Sequence, residues 1–214
     1  MKYLNTTKYK IFKVSKNISF FLILSFAVYC ALIIGKSWDE GSYILLGKER
    51  LSYLLSLGLY EIRKPFWNSH HYPGISYTLN ALILSLFSGK FEFELTHLFN
   101  LLIWLSAVFG ISKISKEFFN KEVSTIVFII FLLYPIYFGH MAINANDTVV
   151  VACSVWITYL ILRYLKNQDD KKRKKYVILA SVVLAVGTVV RIIFVGSILP
   201  VIVFVFADIF FFKK

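Results

Sequence analysis

Acidic residues placed where apolar stretches of the sequence reach water are the groups in this chain best suited to acid–base chemistry. Asp39 and Glu40 follow the first apolar run, and Asp147 opens a later one. A carboxylate at the mouth of a membrane span can take a proton from a substrate on the extracytoplasmic side. The candidate catalytic residues are therefore Asp39 and Glu40, and the candidate binding residues are His71, Tyr72, Asp147 and Arg191.

Each acidic residue also has a purely structural interpretation. The spacing of Ser37 and Glu40 matches a capping box, so Asp39 or Glu40 could simply begin a helix. Asp147 precedes an apolar run and could be the N-cap of that helix. A pair of nearby carboxylates can hold a divalent cation, but no further cluster of oxygen ligands is visible, so we expect no cofactor and keep a cation as the weaker alternative.

The basic and imidazole side chains leave similar alternatives. Arg191 lies near the outer end of an apolar run, where its planar fork of donors suits a phosphate. It could equally extend towards lipid headgroups. Adjacent His70 and His71 are poorly placed for one metal ion, so we expect no metal site and assign His71 with Tyr72 to a donor pocket. His97 and His140 are interpreted as ordinary polar groups at the ends of spans.

The composition requires a membrane protein. The 214 residues are 58% hydrophobic, with a mean hydropathy of +0.69, which exceeds what a soluble domain of this length can bury. The net charge of +12 comes from cations clustered between apolar runs, as membrane topology requires, so we expect no nucleic-acid partner. Cys30 and Cys153 both lie inside apolar stretches and predict neither a disulfide nor a metal site.

The sequence predicts an all-α, polytopic integral membrane protein forming a single module over residues 1–214. Charge placement favours six crossings, with both termini cytoplasmic in the cell membrane. The predicted spans are Ile18–Gly35, Leu95–Ile114, Val123–Phe138, Thr148–Leu165, Tyr176–Val195 and Ile198–Phe212.

Residues 36–94 then form one long extracytoplasmic loop. Polar residues recur at helical spacing between Gly41 and Tyr60, which predicts a helix lying in the membrane interface. The segment Pro73–Ser88 is apolar enough to span, but a crossing there would move the later basic clusters to the wrong side. We therefore predict that it lies along the extracytoplasmic surface.

Four short motifs, in this order, resemble the GT-C membrane glycosyltransferases, in particular the protein O-mannosyltransferases and the bacterial enzyme that adds aminoarabinose to lipid A. The motifs are Trp38-Asp39-Glu40, His71-Tyr72-Pro73-Gly74, Tyr134-Pro135 with Asn146-Asp147, and Ala185-Val186-Gly187 through Arg191 to Leu199-Pro200. Each motif is short, and the resemblance rests on their order relative to the spans.

The resemblance implies a transferase that moves a sugar from a polyprenyl-phosphate donor to an acceptor hydroxyl on a glycan, lipid or protein. It places the family's catalytic acid at Asp39 and implies that Arg191 meets the phosphate. Gly74 stands where the family usually has a second proline, and the family usually continues beyond the position of Lys214. The chain therefore resembles a truncated N-terminal catalytic module.

Two other function classes stay open at this point. A truncated relative could serve as a non-catalytic membrane scaffold or subunit, with its acidic residues reduced to helix caps. A small lipid or solute carrier would need polar residues through the membrane midplane, and the predicted spans hold few.

Overall fold

A computed structural model describes residues 2–61, 74–87, 89–167, 169–207 and 210–211, and the regular secondary structure in these ranges is entirely helical. The all-α prediction is confirmed. The helices are α1 Lys2–Ile33, α2 Glu40–Leu55, α3 Ile75–Leu84, α4 Glu92–Phe118, α5 Lys121–Leu133, α6 Pro135–His140, α7 Ala145–Lys166, α8 Asp170–Val190 and α9 Ile193–Ala207.

Two of these helices, α4 and α7, are long and apolar enough to cross a membrane by length and composition. Several other predicted spans are shorter: α5 has 13 residues and α9 has 15. The first turns of α8 carry a run of charges. Among the described residues two helices are therefore of spanning length and composition, and the count of six crossings stays a prediction.

The predicted span Val123–Phe138 is divided between α5 and α6. The side chain of Asn120 caps the start of α5 by accepting a hydrogen bond from the amide of Val123 at 2.9 Å. The helix ends at Tyr134, which adopts an extended conformation (φ −62°, ψ 120°). A proline disfavours helical geometry in the residue before it, and Pro135 then opens α6.

Helix α3 has ten residues, or about 15 Å of length, roughly half the hydrocarbon thickness. It is too short to cross alone. It packs on α2 and on the first turns of α4, where the side-chain amide of Asn80 donates to the Thr96 hydroxyl at 2.8 Å. The Lys48 ammonium of α2 also pairs with Glu92 of α4. This arrangement favours the prediction that Pro73–Ser88 does not cross.

Small residues let the long helices approach closely. Ala27 and Ala31 of α1 are fully buried against Leu101 and Trp104 of α4. A Cβ atom added at Gly110 of α4 would lie 2.6 Å from a methyl carbon of Val155 in α7. Close packing of this kind is how helices associate where lipid removes the hydrophobic driving force.

Large apolar side chains cover the outer surface of the bundle. Phe21 in α1 is 69% exposed and Ile178 in α8 is 63% exposed, and similar side chains follow along both helices. A soluble monomer rarely exposes so large an apolar surface. These faces are suited to contact with lipid.

Charged residues mark the two ends of the bundle differently. At one end, Glu117 of α4 pairs with Arg163 at 3.0 Å and with Lys166 at 3.1 Å, both from α7. The basic first turns of α8 follow directly in the chain. The opposite end gathers the end of α1, the starts of α2 and α7, and the end of α8, and the candidate site residues lie there.

Candidate active site

A cleft of about 290 Å³ opens at the end of the bundle opposite the Glu117 cluster. Three residues singled out from the sequence, Asp39, Asp147 and Arg191, all line it. They come from three distant stretches of the chain, so the fold brings together what the sequence only suggests. Its remaining lining residues are Ser37, Tyr43, His140, Ile143, Asn144, Ala145 and Asn146.

Asp147 is held in the first turn of α7. Asn144, not Asp147, is the N-cap, because its side-chain oxygen accepts a hydrogen bond from the Asp147 amide at 3.2 Å. Its side-chain nitrogen donates to the Asp147 carboxylate at 2.9 Å. The N-cap interpretation of Asp147 is therefore wrong. Its carboxylate faces the cleft, and its negative charge is stabilised by the positive end of the α7 helix dipole.

Arg191 follows the last residue of α8, where the backbone turns extended (φ −146°, ψ 119°). Its Nη2 lies 3.0 Å from a carboxylate oxygen of Asp147, and both side chains are close to half exposed. The guanidinium lines the cleft, so the structure favours the cleft over an extension towards lipid headgroups. Its Nε–H has no hydrogen-bond acceptor within the described part of the chain, so the fork retains an unused donor.

Asp39 lies at the start of α2 and is exposed at the cleft. Its side chain makes no capping hydrogen bond to the helix. One carboxylate oxygen instead accepts a hydrogen bond from the Ser37 hydroxyl at 3.2 Å. Asp39 is therefore the N-cap residue of α2 by position, but its side chain does not cap the helix, and the carboxylate remains available to a ligand.

Glu40 occupies a different environment from its neighbour. Its side chain is buried, with one oxygen 2.8 Å from Nε2 of His97 and the other accepting the Ser37 amide hydrogen at 3.1 Å. The second contact is one half of the predicted capping box. Glu40 does not line the cleft that contains Asp39.

Aromatic and basic residues join α2 to the start of α3 beside the cleft. Tyr43 stacks on Tyr77 with ring centroids 4.5 Å apart. Burial, with Tyr43 as a smaller cause, raises the pKa of the Tyr77 hydroxyl, which keeps it a neutral phenol. The Arg50 guanidinium occupies the place that a Cβ atom on Gly74 would take. A larger residue at position 74 would therefore require the Arg50 side chain to move.

The remaining sequence-based assignments divide into three groups. His71 and Tyr72 lie outside the described residues, so their place in a donor pocket stays a prediction. His140 is the last residue of α6, as expected for a polar group at the end of a span, and it also lines the cleft. His97 is buried against Glu40, so it is not an ordinary polar group at a helix end. Within the described residues no group of three or more His, Cys, Asp or Glu side chains is arranged to hold a metal ion.

A comparison with protein families places most of the chain in a known family. Residues 70–213, about two thirds of the chain, match the family described as dolichyl-phosphate-mannose-protein mannosyltransferase. Asp147 and Arg191 lie inside the matched segment, whereas Asp39 and Glu40 precede it. No curated protein and no solved structure gives a significant match to the chain.

The helical fold and the family match together define the class of protein, the GT-C membrane glycosyltransferases. The chain belongs to the dolichyl-phosphate-mannose-protein mannosyltransferase family of that class.

Proposed function

We propose that the protein transfers a sugar from a polyprenyl-phosphate donor to an acceptor hydroxyl on the extracytoplasmic face of the membrane. The observation that carries the proposal is the shared cleft. It combines an accessible carboxylate, Asp39, with a guanidinium, Arg191, that a second carboxylate holds in place. Family membership supports a glycosyltransferase, and the cleft supplies the groups that such a reaction needs.

In the proposed reaction, a carboxylate oxygen of Asp39 accepts the proton of the acceptor hydroxyl. The acceptor oxygen forms a bond to the anomeric carbon as the bond from that carbon to the phosphate oxygen breaks. The polyprenyl phosphate leaves with its electron pair, and Arg191 stabilises the negative charge that develops on it. The hydrogen bond from Ser37 occupies one oxygen of Asp39 and leaves the other for the acceptor.

Arg191 suits a phosphate because its donors lie in a fixed plane and its charge persists at all physiological pH values. Its pairing with Asp147 orients the guanidinium before the donor arrives. Both side chains remain close to half exposed, so the pair is weakly stabilised and an incoming phosphate can compete for the guanidinium.

The distribution of charge supports an extracytoplasmic cleft. The end of the bundle opposite the cleft carries Arg163, Lys166 and the basic start of α8. Basic residues near the ends of spans stay on the cytoplasmic side. The cleft then faces away from the cytoplasm, where a lipid-linked sugar, and not a nucleotide sugar, is the expected donor.

The test is Asp39→Asn, which preserves the shape of the side chain but removes its ability to accept a proton at neutral pH. Transfer from a radiolabelled polyprenyl-phosphate sugar is measured in membranes, per unit of accumulated protein. We expect a fall of about 10²–10⁴-fold, the usual cost of losing a positioned base. Near-normal turnover of Asp39→Asn would remove Asp39 from the reaction.

The matched control is Asp169→Asn, an exposed acidic residue at the opposite end of the bundle. Asp169 caps α8 through its side chain, and asparagine caps about equally well. We expect full transfer activity from this variant. A wild-type protein that accumulates normally but transfers no sugar would instead favour the scaffold alternative.

A further inference from the structure

The buried contact between Glu40 and His97 is a polar feature that the proposed reaction does not use. The two side chains are 4% and 2% exposed, and their oxygen and nitrogen lie 2.8 Å apart. They join the start of α2 to α4, which are separated in sequence by the whole of α3. Isolated polar groups are costly to bury, so a contact of this kind fixes the two helices in one relative position.

Two contacts orient the His97 ring. Nδ1 of His97 lies 3.0 Å from the carbonyl oxygen of Ala31, which can only accept a hydrogen bond, so Nδ1 is the donor in this contact. Nε2 lies 2.8 Å from a carboxyl oxygen of Glu40, at ion-pair distance, although neither of these two atoms has an aligned hydrogen-bond partner in the described part of the chain. The ring is therefore held between α1 and the start of α2.

The pair reaches the cleft through Ser37. The second carboxyl oxygen of Glu40 accepts the Ser37 amide hydrogen at 3.1 Å. The Ser37 hydroxyl in turn donates to Asp39 at 3.2 Å. His97 also holds the end of α1 through Ala31. The short connection between α1 and α2, which carries Asp39, is therefore fixed from both sides by these two buried side chains.

We propose that Glu40 and His97 are a positioning pair that fixes the segment 37–39, and with it the Asp39 carboxylate, at the mouth of the cleft. The proposal rests on the function proposed above for its effect on catalysis. It assigns Glu40 a role distinct from that of Asp39, although the two acidic residues are adjacent.

Glu40→Gln separates positioning from proton transfer. The amide oxygen of glutamine can accept the Ser37 amide hydrogen, and its amide nitrogen can donate to Nε2 of a neutral His97. All the contacts are kept without an ionisable group. We expect transfer within about threefold of wild type for Glu40→Gln. For Glu40→Ala we expect kcat to fall tenfold or more while KM for the donor changes little, because Arg191 is untouched.

Hydrogen exchange supplies a readout that does not depend on activity. The Ser37 amide should exchange at least tenfold faster in Glu40→Ala than in wild type, and at the wild-type rate in Glu40→Gln. The exchange rates of the amides within α2 should be the same as in wild type. The matched control is Ser124→Ala, which removes the hydrogen bonds of Ser124 with Ser112 between α4 and α5. It should leave both the segment 37–39 and the turnover as in wild type.

Three outcomes would overturn the proposal. One is a Glu40→Gln protein with normal exchange and the activity of Asp39→Asn, since Glu40 would then act as a catalytic carboxylate. Another is unchanged exchange at Ser37 in Glu40→Ala. The third is a loss of kcat in Ser124→Ala equal to that in Glu40→Ala, which would indicate general destabilisation. If wild type itself transfers no sugar, the proposed function fails and the exchange rates alone decide whether the pair fixes this segment.

Discussion

Gly47 of α2 lies against the backbone of Tyr77 in α3, and this close approach gives a quantitative prediction. A Cβ atom added at Gly47 would overlap the carbonyl oxygen of Tyr77 and lie 2.7 Å from its carbonyl carbon. Ordinary contacts begin near 3.4 Å. The obstacle is backbone, so Gly47→Ala requires α2 and α3 to separate by roughly 1 Å.

Two opposing contributions determine how much Gly47→Ala changes the free energy of unfolding. Forcing a methyl group into a packed interface costs about 1–3 kcal/mol. Replacing glycine by alanine inside a helix returns about 0.5–1 kcal/mol. The difference is a net loss of about 0–2.5 kcal/mol with a central value near 1 kcal/mol, which for a chain of this length corresponds to a fall in Tm of about 2–4 °C.

The matched control is Gly41→Ala in the same helix, where an added Cβ atom meets nothing within 4 Å. We expect Gly41→Ala to be as stable as wild type, or more stable by up to about 1 kcal/mol. Both variants would be heated in the same detergent and at the same scan rate, with retention of the monodisperse species as the readout, because membrane proteins often unfold irreversibly. A Gly47→Ala protein as stable as Gly41→Ala would refute the packing described for α2 and α3.

Three further predictions address the donor, a helix cap and the topology. Arg191→Lys keeps the charge but loses the planar fork, so kcat/KM for the lipid-linked donor should fall about 10–100-fold in the membrane transfer assay. Asn120→Ala removes the cap of α5 and should lower stability by about 1 kcal/mol, seen as a lower Tm with unchanged transfer per folded molecule. In a cysteine-free background, cysteines at Lys36 and Lys90 should react with an impermeant thiol reagent on intact cells, whereas one at Lys121 should react only after permeabilisation. Labelling at Lys36 without labelling at Lys90 would mean that α3 crosses the membrane.

The sequence predicted those site residues that can be recognised from their position relative to the apolar runs. Asp39, Asp147 and Arg191 stand out because each is a charge at the end of an apolar run, and the ends of alternate spans meet on one side of a membrane. Their shared cleft follows from that rule together with the family resemblance. The direct pairing of Asp147 with Arg191 did not follow, because it depends on where α8 stops.

The buried contact between Glu40 and His97 could not be predicted from the sequence pattern. From the sequence, Glu40 is interpreted as a second acid beside Asp39, and His97 as a polar group near the start of a span. Only the packing of α2 against α4 shows that they face each other, and contacts so distant in sequence leave no local periodicity. The same holds for Arg50 and Gly74, whose contact joins two positions that no local pattern relates.

The position of Arg191 immediately after α8 has a consequence for how the protein is made. Chains are synthesised and inserted from the N-terminus, so Asp39 and Asp147 reach the membrane well before Arg191 does. Until α8 has been synthesised and has packed on α7, Asn144 is the partner that holds the Asp147 carboxylate, and the cleft lacks the cation that orients it. Completion of the site is therefore a late event in folding. A substitution that slows the packing of α8 would lower the fraction of active molecules without altering any residue of the cleft.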